Sequence, residues 1–227
     1  MEDSTHATRW RLWCLLALLL FLAAAFADLC WRIGPELLSH RRYALALDLP
    51  SPVDLAALPL ATRFDFPVGT EHGALAYDAQ PFTANRHLGD DLNGIGGENS
   101  DLGDPVFAVA DGRVVLAQKG GPGWGNIVIV LHAYREAGVR KYVQSFYGHV
   151  LTMLVAPNEI VRRGQQIATV GTADGKYLAH LHFEMREFIT PFVGAGYRQD
   201  TRGWLNPSDF IRAHRGAPDE DVGRGSG

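Results

Sequence analysis

Residues 180–184 read His-Leu-His-Phe-Glu. In an extended strand successive side chains alternate between faces, so His180, His182 and Glu184 share one face while Leu181, Phe183 and Met185 share the other. In a helix of ~3.6 residues per turn the two histidines would stand roughly 200° apart. The alternation predicts a half-buried strand with its imidazoles in line on the polar face.

Outward from this stretch, the chain from Phe64 onward consists of short β-like runs punctuated by glycine. Strands are expected over Asn126–His132, Lys141–Val150, Glu159–Val161, Gln166–Val170 and Leu181–Arg186, which are rich in β-branched and aromatic residues. The Asp111-Gly112 pair inside Val106–Gln118 predicts a β-hairpin. No segment of this region shows sustained helical periodicity. The expected class is mainly β, an antiparallel sheet folded over into a groove or small barrel.

A second cluster lies at residues 85–94, NRHLGDDLNG. His87 and Asp91 are four apart, so they project to the same side in either regular structure. Nearby glycines disfavour a helix and favour a strand or ordered loop. Asp90 should point the opposite way from Asp91. A His and an Asp here, with two more histidines at 180 and 182, supply a catalytic metal set: three protein ligands and a position left for water, whose pKa falls to about 7 on zinc. The ligand types alone would tolerate other transition ions. Between the clusters, SFYGHV (145–150) places Tyr147 and His149 on one face of a strand.

These pieces in order, HxxxD, YGH and HLHFE, resemble the lysostaphin-like (LytM-type) zinc metallopeptidases, which cut peptide bonds in bacterial cell walls. The resemblance runs from about Phe64 to Phe210 and includes DLGDPVFAVADGRVV (101–115), GWGNIVIVLH (123–132) and IVRRGQQIATVG (160–171). It implies a groove built on a β-sheet and one Zn2+ per chain held by His87, Asp91 and His182. It implies His149 and His180 as catalytic histidines that take up and return protons and stabilise an oxyanion. It implies peptidoglycan stem peptides or cross-links as substrate. Some family members have lost ligands and act as regulators, so the alternative is a non-hydrolytic peptidoglycan-binding or amidase-activating module of the same fold. Glu184 is either an acceptor behind the ligand His182 or a surface charge, and Tyr147 either lines the groove or sits in the core. The family often has proline where this chain has Ala179, and the loop GTADGKYLA (171–179) departs from the usual Gly, Ser and Thr run. That loop is expected to border the substrate groove.

The 227-residue chain, 47% apolar and 10% aromatic, has the composition of a globular domain with appendages. Arg9 and Arg11 precede the uncharged run Leu12–Ala27, which ends in Ala25-Phe26-Ala27. These are signal-peptide features, and the run is near the ~20 residues of a membrane anchor. Either reading places the remainder outside the cytoplasm, in the periplasm or cell envelope, touching the inner membrane only through an uncleaved segment. Cleavage would leave Cys30 as the one cysteine, so the domain must be held by its core or a metal. A net charge of −4 offers no basic excess for nucleic acid. The expected organisation is signal or anchor 1–27, spacer 28–63, zinc metallopeptidase domain 64–212 and disordered tail 213–227. GIGG (94–97) lacks the strand and helix of a dinucleotide loop, and the 161–171 hairpin lacks the lysine of a lipoyl carrier.

Overall fold

The computed structural model describes residues 13–29 and 50–216. Arg9, Arg11, Cys30, most of the expected spacer and the tail beyond Gly216 lie outside the described residues. Residues 13–29, leucine- and alanine-rich and intrinsically good helix formers, are one helix, α1, as a signal or anchor segment would be. Among the described residues no helix is long and apolar enough to cross a membrane.

From residue 50 on, the chain is a sheet protein. Helix α2 (Pro52–Ala56) opens with a capping box, Ser51 and Asp54 satisfying each other's backbone N–H. The strands are β1 (Leu60–Ala61), β2 (Ala76–Gln80), β3 (Asp90–Gly94), β4 (Pro105–Phe107), β5 (Gly112–Lys119), β6 (Asn126–Glu136), β7 (Val139–Val150), β8 (Ile160–Val161), β9 (Gln166–Thr169), β10 (Leu181–Arg186) and β11 (Trp204–Leu205). The main sheet runs β2-β3-β10-β7-β6-β5-β8, with β1 beside β6 and β11 beside β10. A second, two-stranded sheet pairs β4 with β9. All these pairings are antiparallel except β1 with β6. The class is mainly antiparallel β, as expected.

Alternation sorts the two faces of the sheet. Leu181, Phe183 and Met185 of β10, with Val143 and Tyr147 of β7 and Val128 and Val130 of β6, form the core against Val106, Ile167 and Ala168 of the small sheet. Behind them Phe64 packs edge-on against Phe210 and Tyr134. The opposite face carries Asp91, His182, Glu184 and Arg186, and it is this face that becomes the site.

Two expectations about local structure are corrected. Helix α3 (Pro207–His214) follows the sheet, capped by Asn206 and started by Pro207, and it buries Phe210 and Ile211. One apolar turn is too short to show a period, and the Asn-Pro start was its signal; the helix also enters the stretch read as a tail. The Asp111-Gly112 hairpin does not form either: β4 and β5 belong to different sheets, joined by residues 108–111. Gly112 serves close packing instead. A β-carbon there would come within 2.6 Å of His132 Nδ1 and 2.7 Å of both Leu131 O and Val130 Cγ1. His132, fully buried, bonds Asp111 O through Nδ1 and Ser145 Oγ through Nε2. Gly112→Ala should therefore destabilise the fold by about 2 kcal/mol, read as a lower urea midpoint at unchanged slope.

Candidate metal centre and groove

Pairing register brings the distant motifs together. On β10, His182 stands directly opposite Asp91 of β3 on one side and Gly148 of β7 on the other. Directly opposed residues on one sheet face have their β-carbons ~5 Å apart, within reach of a shared ligand. Asp90, one residue back, points the other way: its carboxylate accepts from Phe82 N, Ser208 N and Ser208 Oγ, tying α3 to the sheet. His87 arrives from a 3-10 turn, Ala84–Arg86.

Three donor atoms converge. His87 Nε2 lies 2.9 Å from His182 Nδ1 and 3.2 Å from Asp91 Oδ1, and His182 Nδ1 lies 3.0 Å from that same oxygen. These separations approach the ~3.3 Å that ~2.0 Å bonds at tetrahedral angles give around zinc. The far nitrogens fix what each ring offers. His87 Nδ1 donates to Gln80 O (2.9 Å), so its Nε2 presents a lone pair. His182 Nε2 donates to Glu184 Oε1 (2.8 Å), which orients the ring and raises its basicity.

The electrostatics call for one positive charge at the point of convergence. Burial would raise the Asp91 carboxyl, yet the imidazoles of His182 and His87 beside it hold it well below the usual carboxylate range. Burial would lower His182, yet Asp91 and Glu184 on either side raise it to about 9. A lone pair and a carboxylate facing a ring held cationic by two carboxylates suit a metal cation, which would take the place of that proton. The donor set therefore fits a metal ion.

Glu184 is not a surface charge. It is fully buried beneath His182, and its other oxygen accepts from Arg186 Nε (2.5 Å) and Trp204 Nε1 (2.6 Å). Burial would raise it, but Arg186 and His182 hold it down at about 2. Arg186, also fully buried, lies over the Phe146 ring and donates to the carbonyls of Phe192 and Val193. The strand's polar face is thus roofed rather than half exposed, and every residue of β10 is buried. The signal for Arg186 was legible, since the alternation of His182 and Glu184 continues to it.

Tyr147 and His149 do not share a face. A register shift between β6 and β7 at Asn126/Val128 sets two residues of β7 opposite one of β6, and His149 takes φ +63°. The bulge re-aims His149 into the groove and leaves Tyr147 in the core, its hydroxyl bonded to Ser145 Oγ and Val109 N. Tyr147 does not line the groove. Trp124 covers Gly148, where a β-carbon would meet its ring at 3.1 Å.

His149 and His180 stand beside the donors without joining them. Their rings are 4.7 Å apart, and His180 Nε2 is 3.6 Å from Asp91 Oδ1. Backbone carbonyls orient both rings: His149 Nδ1 faces Trp124 O (3.2 Å) and His180 Nδ1 faces Leu178 O (2.8 Å), so each ring is left with its Nε2 free of the backbone. Burial, with His182 and His180 nearby, pushes His149 down to about 3, so it is neutral at physiological pH. Asp91, His149, His180 and His182 line one groove of about 390 Å³, with Trp124, Lys176, Tyr177 and Tyr197 on its walls. These wall residues come from loops, where no periodicity points at them.

The class these features define is a mainly antiparallel β-sheet protein with a groove and, at the groove's floor, a His, Asp, His set able to hold a metal ion. Residues 92–195 match the profile of peptidase family M23. The lipoprotein NlpD of Yersinia enterocolitica is 43% identical over 84 residues, 37% of this chain and 78% of that protein. The murein hydrolase activator NlpD of Escherichia coli K12 is 40% identical over 84 residues, and the match spans 20% of its length. The cell division protein DipM of Caulobacter vibrioides is 35% identical over 101 residues, 15% of its length. Among solved structures, a zinc containing peptidase from Vibrio cholerae overlays with a TM-score of 0.44 at 25% identity, covering 60% of this chain and 40% of that one. The chain belongs to peptidase family M23.

Proposed function

We propose that the chain is an exported zinc metalloendopeptidase that hydrolyses peptide bonds in cell-wall peptidoglycan, acting in the periplasm or cell envelope, with residues 64–212 as its catalytic domain. The observation that carries this reading is the pair of imidazoles, His149 and His180, standing against a complete His87, Asp91, His182 donor set. A protein that only held metal or peptide would have no need of them.

His87 Nε2, Asp91 Oδ1 and His182 Nδ1 would hold one Zn2+. When bound, zinc supplies Lewis acidity, making water nucleophilic near neutral pH and polarising a carbonyl. The remaining roles belong to the chain. His149 and His180 accept the proton of the attacking water at Nε2, hydrogen-bond the developing oxyanion once protonated and return a proton to the departing amine. Glu184 and Arg186 keep the His182 ring fixed while this happens. Trp124 and Tyr197 wall the groove and limit the approach of a peptide.

The name of the E. coli relative, a murein hydrolase activator, favours a second reading in which the same groove binds wall peptide or activates a separate amidase without cutting. The two are separated by His149→Ala and His180→Ala. If the chain cuts, each variant should retain one zinc and lose about 10²- to 10³-fold in kcat on cross-linked wall peptides. Unchanged amidase activation by both, with no cleavage by the parent, would favour the second reading.

A further inference from the structure

Besides Asp91 and His182 at the metal donors, one other residue lining the groove carries a full charge: Lys176. It lies in the loop that departs from the family's usual Gly, Ser and Thr run. Its ammonium stands 5.4 Å from the centre of the Tyr177 ring, beside Gly123. A β-carbon built on Gly123 would come within 3.0 Å of Lys176 Nζ and 3.5 Å of Tyr177 Oη, so the ammonium lies close against Gly123 in the groove lining. Asp174, the acidic residue of the same loop, is taken by Lys119 at 2.9 Å. Lys176 has no carboxylate partner among the described residues.

Its distance from the chemistry is short. The Tyr177 ring lies 5.1 Å from His149 and 5.9 Å from His180, which puts Lys176 one side chain beyond them. At ~3.3 Å per extended residue, the separation between this ammonium and His149 spans at most about three residues of a bound peptide, so a side chain flanking the reacting bond comes within its reach. A divalent cation held by one carboxylate leaves the groove with excess positive charge, and Lys176 adds to it. Low-dielectric walls such as Trp124, Tyr177 and Tyr197 strengthen that field.

We propose that Lys176 reads a carboxylate on the substrate residue flanking the cleaved bond, so that the groove selects acidic over neutral peptides. This rests on the peptide-hydrolase reading and assigns its specificity. One charge-assisted hydrogen bond gives about tenfold discrimination.

The test uses the zinc-loaded full chain and one cross-linked wall peptide in two forms, with the flanking carboxylate free or converted to a carboxamide. The kcat/KM ratio is measured for the parent, Lys176→Met and Lys176→Arg, and the Kd ratio for the same series in a His149→Ala background. The expected result is about tenfold preference for the free carboxylate, collapse towards unity in Lys176→Met and retention of most of the preference in Lys176→Arg. A ratio of one in the parent, a ratio unchanged by Lys176→Met, or no binding of either form overturns the proposal. If the parent cuts neither form, the hydrolase reading fails, while the Kd ratio still decides for or against Lys176.

Discussion

Asp91→Ala should abolish both metal binding and hydrolysis. Its Oδ1 is the one atom that meets both His87 Nε2 and His182 Nδ1, at 3.2 and 3.0 Å. Losing a hydrogen-bond partner behind a ligand already costs metal affinity up to about 100-fold, so loss of the ligand itself should exceed that. The several kcal/mol that a metal contributes to a hydrolytic transition state correspond to about 10³- to 10⁴-fold in rate. Zinc measured after dialysis should fall from one per chain to near zero while cooperative unfolding persists. Full zinc retention would mean that the ion sits elsewhere.

The second large effect is expected from a residue remote from any substrate. Arg186→Met removes the fully buried guanidinium that balances Glu184 and holds the Phe192 and Val193 carbonyls. A buried carboxylate left without its cation costs about 3–5 kcal/mol. Glu184 would lose the partner that fixes its place, the His182 ring would lose its orientation, and metal affinity should weaken by about 10- to 100-fold. Adding Glu184→Gln should recover part of the lost stability, because a neutral amide needs no counter-charge. A double variant as unstable as Arg186→Met alone would contradict this explanation. Chemical unfolding and competitive zinc titration read the two effects separately.

What the sequence revealed, and what it hid, follows from the range of the interactions. The period-two pattern of residues 181–186 identified β10 and the face on which His182 and Glu184 lie, because alternation is a local consequence of strand geometry. The ligand pairing was reachable by spacing and by family resemblance, but the contact that makes it, Asp91 opposite His182, joins residues 91 apart in the chain. Burial of the polar face depends on Trp204 and the 192–193 loop closing over Glu184 and Arg186, and no property of residues 180–184 encodes that lid. The Asp111-Gly112 pair misled because glycine answers two needs, a positive φ or a missing β-carbon, and here the second applied. His149 misled in the opposite direction: a bulge at the end of β7 broke the alternation that had placed it with Tyr147. Of the groove's wall, the 171–179 loop lies where the family resemblance puts it, with Lys176 and Tyr177 on the groove, whereas Trp124 and Tyr197 come from two other loops that no pattern singled out.

The most direct test of the account is whether the zinc-loaded full chain, with no amidase present, releases peptides from purified sacculi. Mass spectrometry of the soluble products reads the new termini, with a chelator-treated sample as control. The account predicts new peptide amino termini whose masses name the bond cut, absent after chelation and restored by zinc. Sacculi that bind the protein, yield no new termini and are opened only when a separate amidase is added would contradict it.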